Sequence, residues 1–315
     1  RFCRWIDMEN GRRAATQTEH AEVLAALVAR DADRCAEIMT GHITRRLDQI
    51  VDVIRKLMEG KKVVAMYAPA IAAQFRAQPG QLEGAFKAAG FHKTFEVAVG
   101  ADITADKEAH EFEERMEHGD TLMTTSCCPA YVRAVQIHAP DLIPCVSDTR
   151  SPMHYTAEMA KKEDPEYVTV FIGPCLAKRK EGLDDPHVDY VLSAEEIGAL
   201  FVAKEIDIGE CEAIVCGQQP TASGRNFAQS GGVAEAVRVR LKHPENLRPF
   251  VINGLDVAGM KQLKAFGKAA AEKKPCEANL VEVMACPGGC IAGPSVITNP
   301  KVASAQLKKY VEKGI

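Results

Sequence analysis

Five cysteines lie in three short segments that each follow a predicted strand. In chain order the segments carry the tandem pair Cys127 and Cys128, the single Cys175, and Cys286 with Cys290. Four thiolates suit a tetrahedral zinc ion or a [4Fe–4S] cluster. Because the second and third segments lie about 110 residues apart, a local zinc knuckle is excluded. The pattern therefore predicts a metal centre that joins distant parts of the chain, with one thiol left over.

The tandem pair can supply only one ligand to the metal, which leaves its other thiol spare. Adjacent residues of an extended segment point to opposite sides, so a metal-bound Cys128 leaves Cys127 facing elsewhere. A thiol has an unperturbed pKa of about 8.5, which makes a spare thiol beside a metal a candidate for proton transfer. The alternative for any one cysteine is a small buried hydrophobic residue. We keep that interpretation for the six without such context, which are Cys3, Cys35, Cys145, Cys211, Cys216 and Cys276.

Proline and glycine flank these cysteines. Helix starts predicted after Pro129, Cys175 and Pro287 would direct backbone N–H groups at a negatively charged cluster. On such a helix Cys286 and Cys290 would share one face, because positions four apart do so. The two glycines between them leave room for a bulky cofactor to approach the backbone.

Strands that alternate with helices must position the three segments. Apolar runs predict strands at 63–67, 93–99, 121–125, 168–172, 190–192, 213–215, 250–252 and 280–284. Such alternation implies βαβ units and parallel sheets, whose ligands bind beyond the carboxyl ends of the strands. The predicted fold is α/β with two lobes, each a mainly parallel sheet flanked by helices, and with the cofactor in the cleft between them.

The predicted domain organisation follows the same patterns. Residues 1–60 have helical spacing of apolar side chains and are predicted to form a helical preface. Residues 61–315 are predicted to form one domain of two lobes, about 61–160 and 161–290, followed by a C-terminal helix. Because the first residue is Arg1 and not methionine, we expect an upstream segment to be missing.

The composition is that of an ordinary soluble globular protein, with 46% hydrophobic and 26% charged residues in 315. A net charge of -4 with interspersed signs disfavours a nucleic-acid-binding surface. No apolar run reaches the roughly 18–20 residues of a membrane span, so we expect no span and a cytoplasmic location. The odd number of cysteines, 11, disfavours a secreted disulfide framework.

The three segments resemble the motifs T-S-C-C-P, P-C-x-x-K-x-x-E and M-A-C-P-G-G-C of the [FeFe]-hydrogenase catalytic domain, in that order. The resemblance covers about residues 60–315 and begins with Ala68 and Pro69 after the first strand. It implies an H-cluster, a [4Fe–4S] cubane joined through one cysteine to a two-iron subsite with CO, cyanide and a bridging azadithiolate. The cubane ligands that it implies are Cys128, Cys175, Cys286 and the bridging Cys290.

The resemblance also implies roles for residues around the cofactor. Cys127 would pass protons to the bridging amine, Lys178 would donate to a cyanide ligand, and Met284 would pack near the two-iron subsite. A proton relay to the surface would use Glu108, Ser147 and Glu111. From periodicity alone, a solvated charged helix is the favoured interpretation of the helix that carries the two glutamates.

Four departures from the family pattern indicate a divergent, sensory-type branch. Gly173 replaces a usual methionine, Ala70 a frequent serine, and Tyr131 a common tryptophan, and residues 291–295 lack the glycine-rich continuation. The first two changes remove contacts around the two-iron subsite. Its tuning is therefore expected to differ from that of the fast hydrogen producers.

The predicted function is reversible H₂ oxidation and proton reduction by an iron hydrogenase, with slow turnover and H₂ sensing both left open. The alternative is an iron–sulfur assembly scaffold that resembles hydrogenases but lacks the two-iron subsite. Retention of Cys127, Lys178 and the relay residues favours hydrogen chemistry, because a scaffold needs none of them. The expected partners are H₂ and protons, maturation proteins, and either a ferredoxin-like electron carrier or a missing iron–sulfur domain.

Overall fold

The computed structural model describes residues 49–215 and 217–312. Predictions for the earlier part of the preface, and for Cys3, Cys35 and Cys216, lie outside these residues. The chain divides into two units, Arg1–Gly60 and Lys61–Ile315. In the first unit, residues 49–58 are helical. Every cysteine segment discussed above belongs to the second unit.

Short parallel strands form the framework of the second unit. They are β1 (Val63–Tyr67), β2 (Lys93–Glu96), β3 (Met123–Thr124), β4 (Val168–Ile172), β5 (Tyr190–Leu192), β6 (Pro249–Asn253) and β7 (Leu280–Met284). One sheet has the order β2-β1-β4-β5, and the other has the order β3-β7-β6. Every pairing between these strands is parallel. We refer to them as the first and second sheets.

The α-helices of the described part of this unit pack around the two sheets. They are α1 (Pro69–Ala72), α2 (Gln81–Ala88), α3 (Ala98–Glu117), α4 (Pro129–His138), α5 (Pro152–Glu163), α6 (Ala177–Asp184), α7 (Ala194–Ala203), α8 (Ala222–Asn226), α9 (Gly232–Arg238), α10 (Val257–Ala271) and α11 (Pro300–Glu312). The α/β fold class with parallel sheets and flanking helices is confirmed. The predicted C-terminal helix is present as α11, which buries Ala303 and Leu307.

The sheets do not follow the predicted sequence ranges of the two lobes. The first sheet takes strands from both 61–160 and 161–290, and β3 of the first range pairs with β7 of the second. Parallel neighbours need long crossover connections, and here the chain uses them to pass from one sheet to the other and back. A division at 150–165 therefore corresponds to no boundary between the sheets.

One predicted strand is wrong. Residues 213–215 are irregular, and Val215 is 61% exposed. The segment packs against the start of α2, where the Ile214 N–H donates to the Gly80 carbonyl over 2.9 Å. Three apolar residues resemble a buried strand in sequence, but here no neighbouring strand is available to pair with them among the described residues.

Candidate functional site

The three cysteine segments lie at the carboxyl ends of parallel strands, as predicted. Cys127 and Cys128 follow β3, and Cys286 and Cys290 follow β7, its partner in the second sheet. Cys175 follows β4 of the first sheet. All five thiols are free and partly buried. The fold therefore brings thiols from both sheets into one region.

Electrostatic interactions show that the four predicted ligand thiols are neighbours. Burial is the main cause that raises the pKa of Cys175 to about 11, and the charge of the Cys128 thiolate raises it further. Burial is the main cause that raises the pKa of Cys286 to about 12, and the charges of the Cys175 and Cys128 thiolates raise it further. The pKa of Cys290 is also raised, by burial and by the other three thiols. Among the described residues, no three metal-ligating side chains are close enough to hold a single ion.

The donor set fits an iron–sulfur cluster. A thiol that is buried among other thiols is hard to ionise by itself, and a metal supplies the positive charge that keeps such thiolates deprotonated. Two backbone N–H groups, of Ala177 and Lys178 at the start of α6, also favour the Cys175 thiolate. The predicted helix starts after Pro129 and Cys175 are confirmed.

The predicted helix after Pro287 is wrong. Residues 285–289 form a turn, and a short 3-10 segment, Cys290–Ala292, follows it. Gly288 and Gly289 have φ values of 92° and 90°, a left-handed conformation that interrupts an α-helix and favours glycine. We call residues 285–292 the cysteine loop.

The tandem cysteines face opposite sides, as the extended backbone requires. Cys128 packs against the buried apolar group that includes Tyr131. Cys127 packs against a different group, which includes Phe227 and Met284 at the end of β7. Burial, followed by the charge of Glu108, raises the pKa of Cys127 well above its usual value. Cys127 is therefore protonated and free to interact with groups other than the ligand thiols.

Glu108 of α3 is fully buried beside this thiol. Its Oε1 accepts hydrogen bonds from the Ser126 N–H over 3.0 Å and from the Ser126 hydroxyl over 3.3 Å. Its Oε2 has no partner among the described residues. Burial raises the pKa of Glu108 to about 8, with a smaller contribution from Glu111. Glu108 is therefore largely protonated at neutral pH.

Glu111, one turn further along α3, is held by several donors. Its carboxylate accepts from the Ser147 hydroxyl over 2.5 Å and from the Thr149 hydroxyl over 3.0 Å, and it pairs with Arg115 over 2.7 Å. Burial opposes ionisation of Glu111, but these donors and the Asp148 N–H outweigh it and lower the pKa. The two predicted relay glutamates thus differ in charge at neutral pH.

Two residues that the sequence analysis missed connect these glutamates. The Ser126 hydroxyl, which contacts Glu108, also donates to the Thr149 carbonyl over 2.5 Å. The Thr149 N–H in turn donates to the Ser147 hydroxyl over 3.1 Å. We call Cys127 and Glu108, with Ser126, Thr149, Ser147, Glu111 and Arg115, the relay network.

Lys178 is buried in the first turn of α6. Its ammonium lies 2.7 Å from a carboxylate oxygen of Glu181, whose other oxygen accepts from the Ser151 hydroxyl. Burial opposes the charge of Lys178, but Glu181 and the nearby Cys175 and Cys127 raise its pKa. A protonated lysine is therefore fixed beside the cysteines, where it can donate to an anionic group.

The backbone around Pro174 brings the two sheets into contact. The Ser295 N–H donates to the Pro174 carbonyl over 3.2 Å, and a Cβ on Gly293 would lie 2.5 Å from the same oxygen. On the first sheet, the Ala68 N–H donates to the Ile172 carbonyl over 2.9 Å, which fixes the start of α1 at Pro69.

The model of the family described as "Iron only hydrogenase large subunit, C-terminal domain" matches residues 61–294. The chain belongs to this iron-only hydrogenase family. A second family model, described as "FCD domain", matches residues 1–45. Solved structures of the family share the fold. A [FeFe]-hydrogenase HydA1 from Chlamydomonas reinhardtii has a TM-score of 0.61 at 21% identity and covers 78% of this chain and 84% of its own.

Curated relatives of the family fall into two groups. The periplasmic [Fe] hydrogenase large subunit of Nitratidesulfovibrio vulgaris is 28% identical over 81% of this chain and 74% of its own length. Iron hydrogenase 1 of Clostridium pasteurianum is 29% identical over 73% of this chain, which spans only 48% of that protein. The cytosolic Fe-S cluster assembly factor NAR1 of Eremothecium gossypii is 22% identical over 68% of this chain and 60% of its own length.

Two departures from the hydrogenase pattern have visible structural consequences. At Gly173 a Cβ would lie 2.4 Å from the Phe171 ring, so the ring fills the space beside this residue. Tyr131 is fully buried, and its hydroxyl donates to the Thr124 hydroxyl over 2.6 Å. Among the described residues, no helix is long and apolar enough to cross a membrane.

Proposed function

We propose that this chain binds an H-cluster and catalyses reversible oxidation of H₂ to protons and electrons. The relay network is the observation that carries the proposal. It begins at the buried Cys127 thiol and ends at Arg115, which lies 3.4 Å from the 97% exposed carboxylate of Asp148. A cluster that only transfers electrons, or that is only stored, has no need of a protonated buried carboxyl group beside a spare thiol.

The four ligand thiols are proposed to hold the cubane, with Cys290 as the bridge to the two-iron subsite. When bound, the cofactor supplies the iron site for H₂ chemistry and the cubane for electron transfer. Lys178, fixed by Glu181, is placed to donate to an anionic ligand of the subsite. Met284 and Pro69 are proposed to line it.

Proton transfer is assigned to this chain's own residues. Cys127 holds a proton at its thiol and exchanges it with Glu108, whose free Oε2 is available to a water molecule or to the thiol. The Glu108 carboxyl group has a pKa of about 8, so it can both donate and accept near neutral pH. Glu111 is ionised and would accept the proton of the Ser147 hydroxyl, which would be replaced from Glu108 through water, because the Thr149 peptide group holds the Ser126 and Ser147 hydroxyls in place but has no transferable proton. The path would then reach solvent beside Asp148.

The second candidate is an iron–sulfur assembly scaffold without the two-iron subsite. The similarity to cytosolic assembly factors, together with Gly173 and Ala70, favours this alternative. Such a scaffold uses the four cubane thiols but has no use for Cys127 or Glu108. The two candidates therefore predict different spectra and different consequences of losing the spare thiol.

Anaerobic maturation with a synthetic two-iron precursor separates the candidates. Purified protein with a reconstituted cubane is incubated with the precursor and examined by infrared spectroscopy and by an H₂ assay with reduced viologen. We expect CO and cyanide bands and H₂ formation. A Cys127→Ala variant should retain the bands and lose turnover, while Cys211→Ala should behave as wild type. Absence of the bands in wild type supports the scaffold, and full activity of Cys127→Ala contradicts the relay.

The proposed partners are H₂, protons, maturation proteins and a ferredoxin-like electron carrier that docks near the cubane. We also propose a cytoplasmic location, although the relatives include both a periplasmic hydrogenase and cytosolic assembly factors. Cell fractionation tests the location. Reduction of the cubane by a ferredoxin, monitored optically under anaerobic conditions, tests the electron carrier.

A further inference from the structure

The cysteine loop is seated on the backbone that follows α8. The Ile291 N–H donates to the Ala228 carbonyl over 3.1 Å, and the Ser230 N–H donates to the Gly288 carbonyl over 3.4 Å. At Gly289 a Cβ would lie 2.7 Å from the Ser230 nitrogen and 2.8 Å from the Ala228 oxygen. The two backbones touch with no side chain between them. The position of Ala228–Ser230 therefore fixes the position of the loop.

A buried ion pair fixes that segment in turn. Arg225 lies one turn before Ala228 and is 3% exposed. Its Nε and Nη2 donate to the two carboxylate oxygens of Glu96 over 2.8 and 2.9 Å. Glu96 is the last residue of β2, at the carboxyl end of the first sheet. A bidentate pair of a guanidinium and a carboxylate restricts both distance and orientation, which a single hydrogen bond does not.

The residues around the Arg225–Glu96 pair hold the guanidinium and helix α8 in one position. The Tyr310 ring of α11 covers the Arg225 guanidinium, 4.7 Å from the ring centroid. On the other side of α8, a Cβ at Gly224 would lie 2.5 Å from the Ala98 carbonyl, so α8 also touches the start of α3. The Thr221 N–H, before α8, donates to Asp102 of α3 over 2.8 Å. The helix is thus held on both sides.

We propose that Arg225 is a positioning residue for the cubane and that it acts through Glu96. Cys286 and Cys290 belong to the second sheet, whereas Cys175 belongs to the first, so one cluster needs the two sheets in a fixed relation. The pair connects the loop of the second sheet to β2 of the first sheet. This role rests on the proposed function, because it concerns the geometry offered to the proposed cubane.

The test uses purified full-length protein and anaerobic reconstitution with ferrous iron and sulfide alone. The variants are Arg225→Met, the double variant Glu96→Gln with Arg225→Met, and the control Arg238→Met, whose residue forms an exposed pair with Glu235. The double variant matters because Arg225→Met by itself leaves a buried carboxylate unpaired, which destabilises the fold. Removing both charges restores folding stability but leaves the loop without its bidentate restraint.

Three measurements report on positioning and not only on stability. We expect loss of the cubane to a ferrous chelator to be about 10–100-fold faster in Arg225→Met and in the double variant, as for other residues that orient metal ligands. The electron paramagnetic resonance spectrum of the reduced cubane should also change in both. Amides of residues 285–292 should exchange with deuterium about tenfold faster, a usual magnitude of coupling between distant sites. Arg238→Met should match wild type in all three.

The outcomes separate this inference from the proposed function. If the stable double variant keeps wild-type chelator resistance and wild-type amide exchange, Arg225 acts only on stability and the proposed positioning role is wrong. If wild type takes up no iron, the proposed cofactor is wrong. Amide exchange needs no iron, so in that case it still decides whether Arg225 positions the cysteine loop.

Discussion

The carboxyl groups of Glu108 and Glu111 lie one turn apart on α3, yet their pKa values shift in opposite directions. Glu108 is buried with one unpartnered oxygen, and its pKa rises to about 8. Glu111 accepts from Ser147 and Thr149 and pairs with Arg115, and its pKa falls. A protonated group on the buried side and an ionised group on the solvent side would give the proposed proton path a donor and an acceptor at neutral pH.

The first prediction concerns turnover. Glu108→Gln keeps the size of the side chain and the acceptor for Ser126, but it cannot exchange a proton. We expect H₂ production by the matured protein to fall about 10²–10⁴-fold, the usual contribution of a proton-transfer group. Iron content and infrared bands should not change. Glu114→Gln, on the exposed side of the same helix, is the matched control, and equal activities of the two variants would contradict the relay.

The second prediction concerns pH and stability. Between pH 4.5, the ordinary pKa of this side chain, and about 8, folded Glu108 holds a proton that the unfolded chain has released. The contribution of Glu108 to the free energy of unfolding therefore falls as pH rises through this interval, by about 1.4 kcal/mol for each pH unit. Glu108→Gln should remove this slope. Urea unfolding of both proteins across the interval measures it, and parallel profiles would show that Glu108 is ionised in the folded state.

The third prediction concerns the ligand set. Cys286→Ser should lower the iron bound after reconstitution and speed its loss, because a serine hydroxyl is a far weaker ligand for iron than a thiolate. Cys276→Ser is the control, since Cys276 is also free but is buried in the apolar group beneath α10. Iron analysis and the absorption of the cluster provide the measurement. Equal iron retention in the two variants would remove Cys286 from the ligand set.

The fourth prediction concerns the missing methionine. Gly173→Ala should lower the free energy of unfolding by about 1–3 kcal/mol, because a Cβ at this residue meets the Phe171 ring and the core must shift. Combining it with Phe171→Leu should recover part of the loss. Gly217→Ala, where a Cβ meets nothing within 4 Å, is the matched control. An unchanged denaturation midpoint in Gly173→Ala would mean that the Phe171 ring moves freely.

The sequence predicted the cysteine segments and their strands because short apolar runs precede each motif and parallel strands align their carboxyl ends. It also predicted the opposite orientations of Cys127 and Cys128, which depend only on extended backbone. The prediction of a helix after Pro287 was wrong because the φ values of Gly288 and Gly289 are set by tertiary contacts with Ala228 and Ser230. Such contacts cannot be predicted from the spacing of residues in the sequence.

Partners that are distant in the chain were also missed. Ser126 and Thr149 are ordinary polar residues in sequence, and only the fold places both between the two glutamates. Glu282 gave a usable signal, since it is a carboxylate inside the apolar strand β7. It accepts from the Gly231 and Ala234 N–H groups, each over 2.7 Å, and so holds the start of α9. A charged residue in an otherwise apolar strand needs such donors, but the sequence does not show which N–H groups supply them.

The proposed ligand thiols follow strands of both sheets, so the lifetime of the chain in the cell would depend on the supply of iron. The proposed cluster would bind only the arrangement that brings the four thiols together and would stabilise it by mass action, so iron-replete protein should resist proteolysis better than protein made under iron limitation. Assembly of the proposed cofactor would then be the last step of folding. The abundance of the protein would follow iron availability without any change in its synthesis.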